Sequence, residues 1–92
     1  MHSLCEAART ELRFVLQSIQ VDRPEAARAV ALKLRCLAAD ALLAGDRATH
    51  TRVVQTAAAA DRWHAGVDPE AARVAVLAGV LGIARALLLP LY

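Results

Sequence analysis

Start and stop signals for α-helices divide this chain into four segments, and this division constrains its fold more than any other feature. Proline followed by glutamate, with aspartate one or two residues before, occurs at 22–25 and again at 68–70. Proline is tolerated in the first turn of a helix, and acidic residues suit its positive N-terminal end. Gly45 and Gly66 provide the left-handed residue that commonly closes a helix. The turns between four predicted helices then fall at about 21–24, 44–47 and 65–69.

The ends of the predicted helices follow from the same capping rules. Ser3 and Glu6 fit a capping box, in which the serine hydroxyl accepts from the third helical amide, so the first helix begins there. The second helix begins at Pro24 after a capping Asp22, Asp46 can cap the third, and Asp68 the fourth. These three helices are predicted to cover about residues 24–44, 47–65 and 69–89.

Composition supports an all-helical chain. Of the 92 residues, 58% are hydrophobic but only 3% are aromatic, namely Phe14, Trp63 and Tyr92. Such a core consists of alanine and aliphatic side chains, and no run of Val, Ile and Thr alternates with polar residues as strands require. We therefore expect one all-α domain over 1–92, with four antiparallel helices forming two helical hairpins, either TPR-like or as a bundle.

The charge balance argues against nucleic-acid binding. The net charge is only +2, although 11 residues are Lys or Arg. A DNA-reading helix would be polar and basic, whereas the third predicted helix combines Arg47, Arg52 and Arg62 with a run of four alanines. We expect the alanine run to let this helix pack closely against the second or the fourth, and we expect no nucleic-acid partner.

Catalytic, metal and cofactor motifs are missing from the sequence. No Cys-x-x-Cys, His-Glu-x-x-His or glycine-rich phosphate loop occurs, so we expect no enzyme, no bound metal and no cofactor. Cys5 and Cys36 stand in no paired motif and are interpreted as reduced, small core residues. Asp46 with His50, and Asp61 with His64, are interpreted as solvated ion pairs at helical spacing.

The expected location is cytoplasmic. The first residues carry charge from Glu6 onward and offer no apolar stretch long enough for a secretory signal. The segment after Arg73 is the most apolar of the chain, but Arg85 and Pro90 interrupt it. A buried or oligomer-facing helix is therefore favoured over a membrane anchor, and no membrane partner is expected.

The second predicted helix has two apolar stripes on separate faces. One comprises Ala27, Val30, Leu34, Leu37, Ala38 and Ala41, and the other comprises Leu32, Cys36, Ala39 and Leu43. A helix with two apolar stripes touches two partners. Packing of both stripes inside the domain is the simpler interpretation, and presentation of the second stripe to another chain is the alternative.

The fourth predicted helix is apolar nearly all round. Small residues from Ala71 to Ala86 lie opposite a stripe of Val76, Val80, Ile83 and Leu87. A short chain cannot cover such a helix on every side, so leucines left exposed would mark an interface with a protein partner or a second copy. Leu91 and Tyr92 also belong to this apolar segment. The candidate partner-binding residues are Leu32, Cys36, Leu43, Leu77, Leu81 and Leu88.

The tetrapeptide Glu-Ala-Ala-Arg occurs at 6–9, 25–28 and 70–73, twice after proline. The 45-residue spacing of the two prolines equals one helical hairpin, as in solenoid repeats. Alanine-rich and arginine-rich chains also produce such matches by composition. Both interpretations, a true repeat and a chance match, remain open.

The segment from Leu37 to Asp46, with Val54 and Ala57 following, resembles the helix-turn-helix of a tetratricopeptide repeat, with Gly45-Asp46 as its turn. Over 24–89 the order of features resembles the small TPR-like co-chaperones of type III secretion needle subunits, here Glu25 to Arg28, Gly45-Asp46 and Leu81-Gly82. This resemblance implies a cytoplasmic chaperone whose apolar concave face holds an amphipathic helix of an export substrate, jointly with a second small chaperone. Alternatives are a structural homo-oligomer and a DNA-binding regulator or antitoxin.

Overall fold

The computed structural model describes residues 3–21 and 23–89, and this part of the chain forms four α-helices without a strand. The helices are α1 (Leu4–Ile19), α2 (Pro24–Leu43), α3 (Arg47–Ala65) and α4 (Pro69–Ala86). The all-α prediction and the positions of the three turns are confirmed. The links are only three or four residues long, which places consecutive helices side by side and antiparallel.

Most of the predicted helix ends are confirmed at the level of single hydrogen bonds. The Ser3 hydroxyl accepts from the Glu6 amide, and the Asp46 carboxylate accepts from the Thr49 amide at 3.0 Å. Gly45 and Gly66 have φ of +77° and +76°, the left-handed conformation that glycine adopts without steric cost. The sequence rules for caps therefore identify these ends correctly.

Three helix ends differ from the prediction. Asp68 occupies the N-cap of α4, but it has φ 43° and its side chain makes no capping hydrogen bond. The α4 helix stops at Ala86 and not near Leu89, because Leu88 adopts φ 55°. The Leu89 amide donates to the Ala84 carbonyl at 2.8 Å, which completes a Schellman closure without glycine. At the start of α2 the N-cap position is Arg23, whose side chain makes no capping hydrogen bond, and the predicted cap Asp22 lies outside the described residues.

The helices pack in a ring. Helix α1 packs against α2 and α4, and α3 packs against the same two helices, whereas the diagonal pairs have no Cα atoms within 8 Å of each other in the described ranges. This ring is the arrangement of a four-helix bundle. The inner faces supply aliphatic side chains, alanines and the buried Trp63. The largest fully buried side chains are Leu12, Val15, Val30, Leu34, Leu37, Val53, Val76, Val80 and Ile83.

Small residues bring α3 and α4 close together. Ala57, Ala59 and Ala60 are buried in α3, as the alanine run predicts. On α4, Gly79 lies against Thr56 so closely that an added Cβ would stand 2.2 Å from Oγ1. The absence of a side chain at this glycine therefore sets the separation of the two helices.

Polar side chains tie neighbouring helices together. Nδ1 of His50 lies 2.9 Å from the Ala38 carbonyl of α2 and must donate to it, since a carbonyl only accepts. The Asp61 carboxylate of α3 makes a two-point pair with the Arg35 guanidinium of α2. This hydrogen-bonded pair raises the pKa of Arg35. Asp46 thus caps α3, while His50 and Asp61 each link α3 to α2. The sequence pattern predicts local ion pairs for these residues.

Candidate functional site

The second stripe of α2 lies on the surface. Leu32 is 57% exposed, Leu43 is 87% exposed, and Cys36 and Ala39 are exposed as well. The first stripe of the same helix is wholly buried. The expectation that both stripes pack inside the domain is therefore wrong. We call Leu32, Cys36, Ala39 and Leu43 the α2 outer seam.

Neither cysteine belongs to the core. Cys5 and Cys36 are both exposed and both are free thiols. The interpretation as small core residues is wrong, because each lies on the outer face of its helix, while the inner face is filled by alanine, valine and leucine.

Two of the predicted leucines border a groove between α1 and α4. Leu77 and Leu81 lie one helical turn apart on α4, 38% and 43% exposed, and line a groove of about 660 Å³. Helix α1 supplies the half-buried Leu16 and the buried Ile19 as the opposite apolar wall. The remaining lining residues are Arg13, Gln17 and Gln20. We call this feature the α1–α4 groove.

The groove exists because α1 and α4 pack less extensively than the other neighbouring pairs. At the end where α1 stops and α4 begins, Arg73 of α4 donates from Nη2 to the Ile19 carbonyl at 2.7 Å. The Arg73 guanidinium also lies 5.8 Å from the centre of the Trp63 ring on α3. This closed end holds the two helices at a fixed distance, while the leucines beyond it stay accessible.

The α1 wall of the groove does not show in the sequence pattern. The pattern of α1 predicts a one-sided amphipathic helix, so Leu16 and Ile19 are not among the candidate partner-binding residues. The apolar positions that recur at helical spacing are Leu4, Ala8, Leu12, Val15, Leu16 and Ile19. A weak signal was present, since Leu16 follows the buried Val15 directly and must point about 100° away from it around the helix. The α1 stripe is thus wider than the surface that its neighbours cover.

The other predicted site residues lie apart from this groove. Leu43 borders a second cleft of about 770 Å³ between the start of α1 and the end of α2. Three carboxylates, Glu6, Glu11 and Asp40, line that cleft beside Leu4 and Leu43. Leu88 is 88% exposed beyond the end of α4 and lines neither depression. Leu91 and Tyr92 lie outside the described residues.

Metal and membrane features are missing from the part of the chain that the structure describes. Over 3–21 and 23–89, no three His, Cys, Asp or Glu side chains are grouped so that they could hold a metal ion. Among the described helices, none has the length and apolar character needed to span a bilayer.

When the chain was compared with protein-family models, curated proteins and solved structures, nothing matched in any of the three comparisons.

Proposed function

We propose that this protein is a non-enzymatic interaction module that holds an amphipathic helix of a protein partner in the α1–α4 groove. The observation that carries the proposal is the pair Leu77 and Leu81, which stand exposed over an apolar wall formed by Leu16 and Ile19. Recognition of a helix in a groove uses apolar anchors at i, i+3 or i+4, and i+7 of the partner.

The dimensions of the groove suit a short helical segment. Its α1 wall runs from Arg13 to Gln20, about 10 Å at the rise of an α-helix. This length matches two turns of a bound helix, which present three apolar anchors. Among the described residues that line the groove, Arg13 is the one that carries a charge, so an acidic residue beside the anchors of the partner helix is favoured.

The type III secretion resemblance is compatible with this proposal. The resemblance implies a needle subunit as the export substrate, and such a substrate would offer an amphipathic helix to the groove. The structure contributes the groove, and the sequence contributes the suggested partner and the cytoplasmic location. A cytoplasmic chaperone for a secretion substrate is accordingly the specific form of the proposal.

The proposal is tested with two 18-residue amphipathic peptides that share leucines at i, i+3, i+4 and i+7. One peptide has an acidic polar face and the other a basic polar face, and binding is followed by fluorescence anisotropy. We expect the acidic peptide to bind more tightly. Leu81→Asp should weaken binding by about tenfold or more, because a buried leucine contributes about 1.5–3 kcal/mol.

Val54→Asp is the matched control. Val54 is an exposed aliphatic residue of α3 that lines neither the groove nor the cleft. This variant should bind the acidic peptide like the wild type, and circular dichroism should show unchanged helix content in both variants. Equal binding by wild type and Leu81→Asp, or no binding of either peptide, would contradict the proposed function.

A further inference from the structure

The α2 outer seam has the spacing of a coiled-coil stripe. Leu32, Cys36, Ala39 and Leu43 follow one another at intervals of 4, 3 and 4 residues. At 100° per residue the four positions lie within about 60° of one another, and the centre of the seam lies about 180° from the buried stripe of the same helix. The seam therefore faces away from the bundle, where another helix can approach it.

The spacing reads the same in both directions along α2. If a second copy of the helix runs antiparallel, Leu32 lies opposite Leu43 of the second copy, and Cys36 lies opposite Ala39. All four layers are then filled at once. The two central layers contain only small side chains, which allow the helix axes to approach to about 8 Å.

The charges on the α1 side of the seam are also self-complementary. Lys33 and Asp40 lie on the same flank of the seam, the flank that faces α1. A two-fold axis brings this flank opposite the same flank of the second copy, so Lys33 of each chain faces Asp40 of the other. Nζ of Lys33 lies 3.7 Å from Glu11 and 5.3 Å from the centre of the Phe14 ring, both on α1, but 46% of the side chain is exposed. Rotation of this long side chain can therefore bring its ammonium to Asp40 of the second copy.

We propose that two copies of this protein associate through the α2 outer seam as an antiparallel, two-fold symmetric helix pair. The seam is about 17 Å long, which is short for a permanent interface, so the dimer is weak and depends on concentration. Helices α2 and α4 are diagonal in the bundle, with no Cα atoms within 8 Å of each other among the described residues. The dimer therefore leaves both α1–α4 grooves open, and this inference does not rest on the proposed function.

Sedimentation equilibrium over a wide concentration range tests the association. We expect a monomer–dimer equilibrium for the wild type and a monomer for Leu32→Glu, which places a charge in an end layer of the seam. Val54→Glu, an equally simple change on the exposed face of α3, should dimerise like the wild type. A wild type that stays monomeric, or a Leu32→Glu variant that dimerises normally, overturns the proposal.

A charge exchange tests the register. Asp40→Lys alone places lysine opposite Lys33, and Lys33→Glu alone places glutamate opposite Asp40, so each variant should dimerise about tenfold more weakly. In an equimolar mixture both pairs become complementary, and a heterodimer should form with about wild-type affinity. A variant that is misfolded alone stays misfolded in the mixture, so the rescue depends on both variants being folded. If both variants are folded and no heterodimer forms, the proposed register is wrong.

Cys36 provides a covalent test of the same geometry. In the proposed register the two Cys36 Cα atoms are about 6 Å apart, within the range for a disulfide. Oxidised glutathione should therefore convert two Cys36 thiols of the Cys5→Ser variant into one intermolecular disulfide, releasing two reduced glutathione molecules. Leu32→Glu in the same background should slow this cross-linking at least tenfold. Equal cross-linking rates with and without Leu32→Glu would refute the antiparallel seam.

Discussion

Gly79 of α4 lies against Thr56 of α3 with no room for a methyl group, since an added Cβ would stand 2.2 Å from Oγ1 and 2.8 Å from Cγ2 of the threonine. The Thr56 hydroxyl donates to the Arg52 carbonyl at 2.8 Å, which fixes the rotamer of this buried side chain. Rotation of Thr56 would offer no relief, because its Cβ lies only 3.0 Å from the same point. The contact therefore fixes how closely α3 and α4 approach.

Gly79→Ala should lower the free energy of unfolding by about 1–2 kcal/mol. Overpacking of a core contact costs about 1–3 kcal/mol, and the better helix propensity of alanine returns part of it. Urea unfolding followed by the fluorescence of the single tryptophan, Trp63, measures the change. Combination with Thr56→Ala should restore part of the loss, because the atoms nearest to the new methyl group are removed.

Gly82→Ala is the matched control on the same helix. An added Cβ at Gly82 meets nothing within 4 Å, so only the helix propensity changes. We expect the free energy of unfolding to rise by about 0.5–1 kcal/mol. Equal effects of the two substitutions would show that the approach of α3 to α4 is looser than the structure indicates.

The fold was largely predictable because its boundaries depend on local chemistry. Capping by Ser3 and Asp46 and left-handed closure at Gly45 and Gly66 each need only a few neighbouring residues, which the sequence displays directly. The closure at Leu88 was not predictable, since a leucine with positive φ gives no compositional sign. The arrangement of the four helices in a ring was not predictable either, because hairpins with short links can pack as a bundle or as a stack.

The candidate site was less predictable than the fold, because exposure depends on which face each neighbour covers. The periodicity of α2 revealed two apolar stripes, but it could not show that the one with Cys36 stays uncovered. For α4, the sequence identified Leu77 and Leu81 as surplus apolar residues. Their companion Leu16 belongs to a helix that reads as one-sided, so its accessibility depends on the loose packing of α1 against α4.

Asp46 should make the stability of the protein depend on pH. Its carboxylate accepts from the Thr49 amide and hydroxyl, and these hydrogen bonds hold its pKa below the ordinary value of 3.8. Because the folded pKa is the lower one, the stabilisation is fully present above pH 3.8 and is lost as pH falls through the folded value.

Asp46→Asn separates the charge from the cap. Asparagine keeps an acceptor for the Thr49 amide but does not titrate, so the variant should lose less stability than the wild type between neutral pH and about pH 2. Asp46→Ala should lower the melting temperature by about 4–8 °C at neutral pH. Parallel acid titrations of wild type and Asp46→Asn that fall by the same amount would show that the folded pKa is not depressed.

Cys5→Ser should change the free energy of unfolding by less than about 0.5 kcal/mol, because the thiol is exposed. In dilute solution without denaturant, both thiols of the wild-type protein should react with a disulfide reagent such as Ellman's reagent. The released chromophore should correspond to two thiols per chain. Slow reaction of Cys5 that becomes fast only in urea would place it in the core and contradict the exposed position.

Arg73→Met should lower the free energy of unfolding by about 1.5–3 kcal/mol, the usual contribution of a hydrogen bond to a charged group. Methionine keeps the apolar stem but removes the donor to the Ile19 carbonyl and the cation near the Trp63 ring. Arg73→Lys retains a charge without the planar guanidinium and should lose about half as much. Arg9→Met, at an exposed position of α1, is the control and should stay within about 0.5 kcal/mol of the wild type.

Since Arg73 also closes one end of the α1–α4 groove, Arg73→Met should weaken binding of the acidic peptide while leaving the dimerisation constant unchanged. An Arg73→Met variant as stable as the Arg9→Met control would show that the contact with the end of α1 does not hold the groove together.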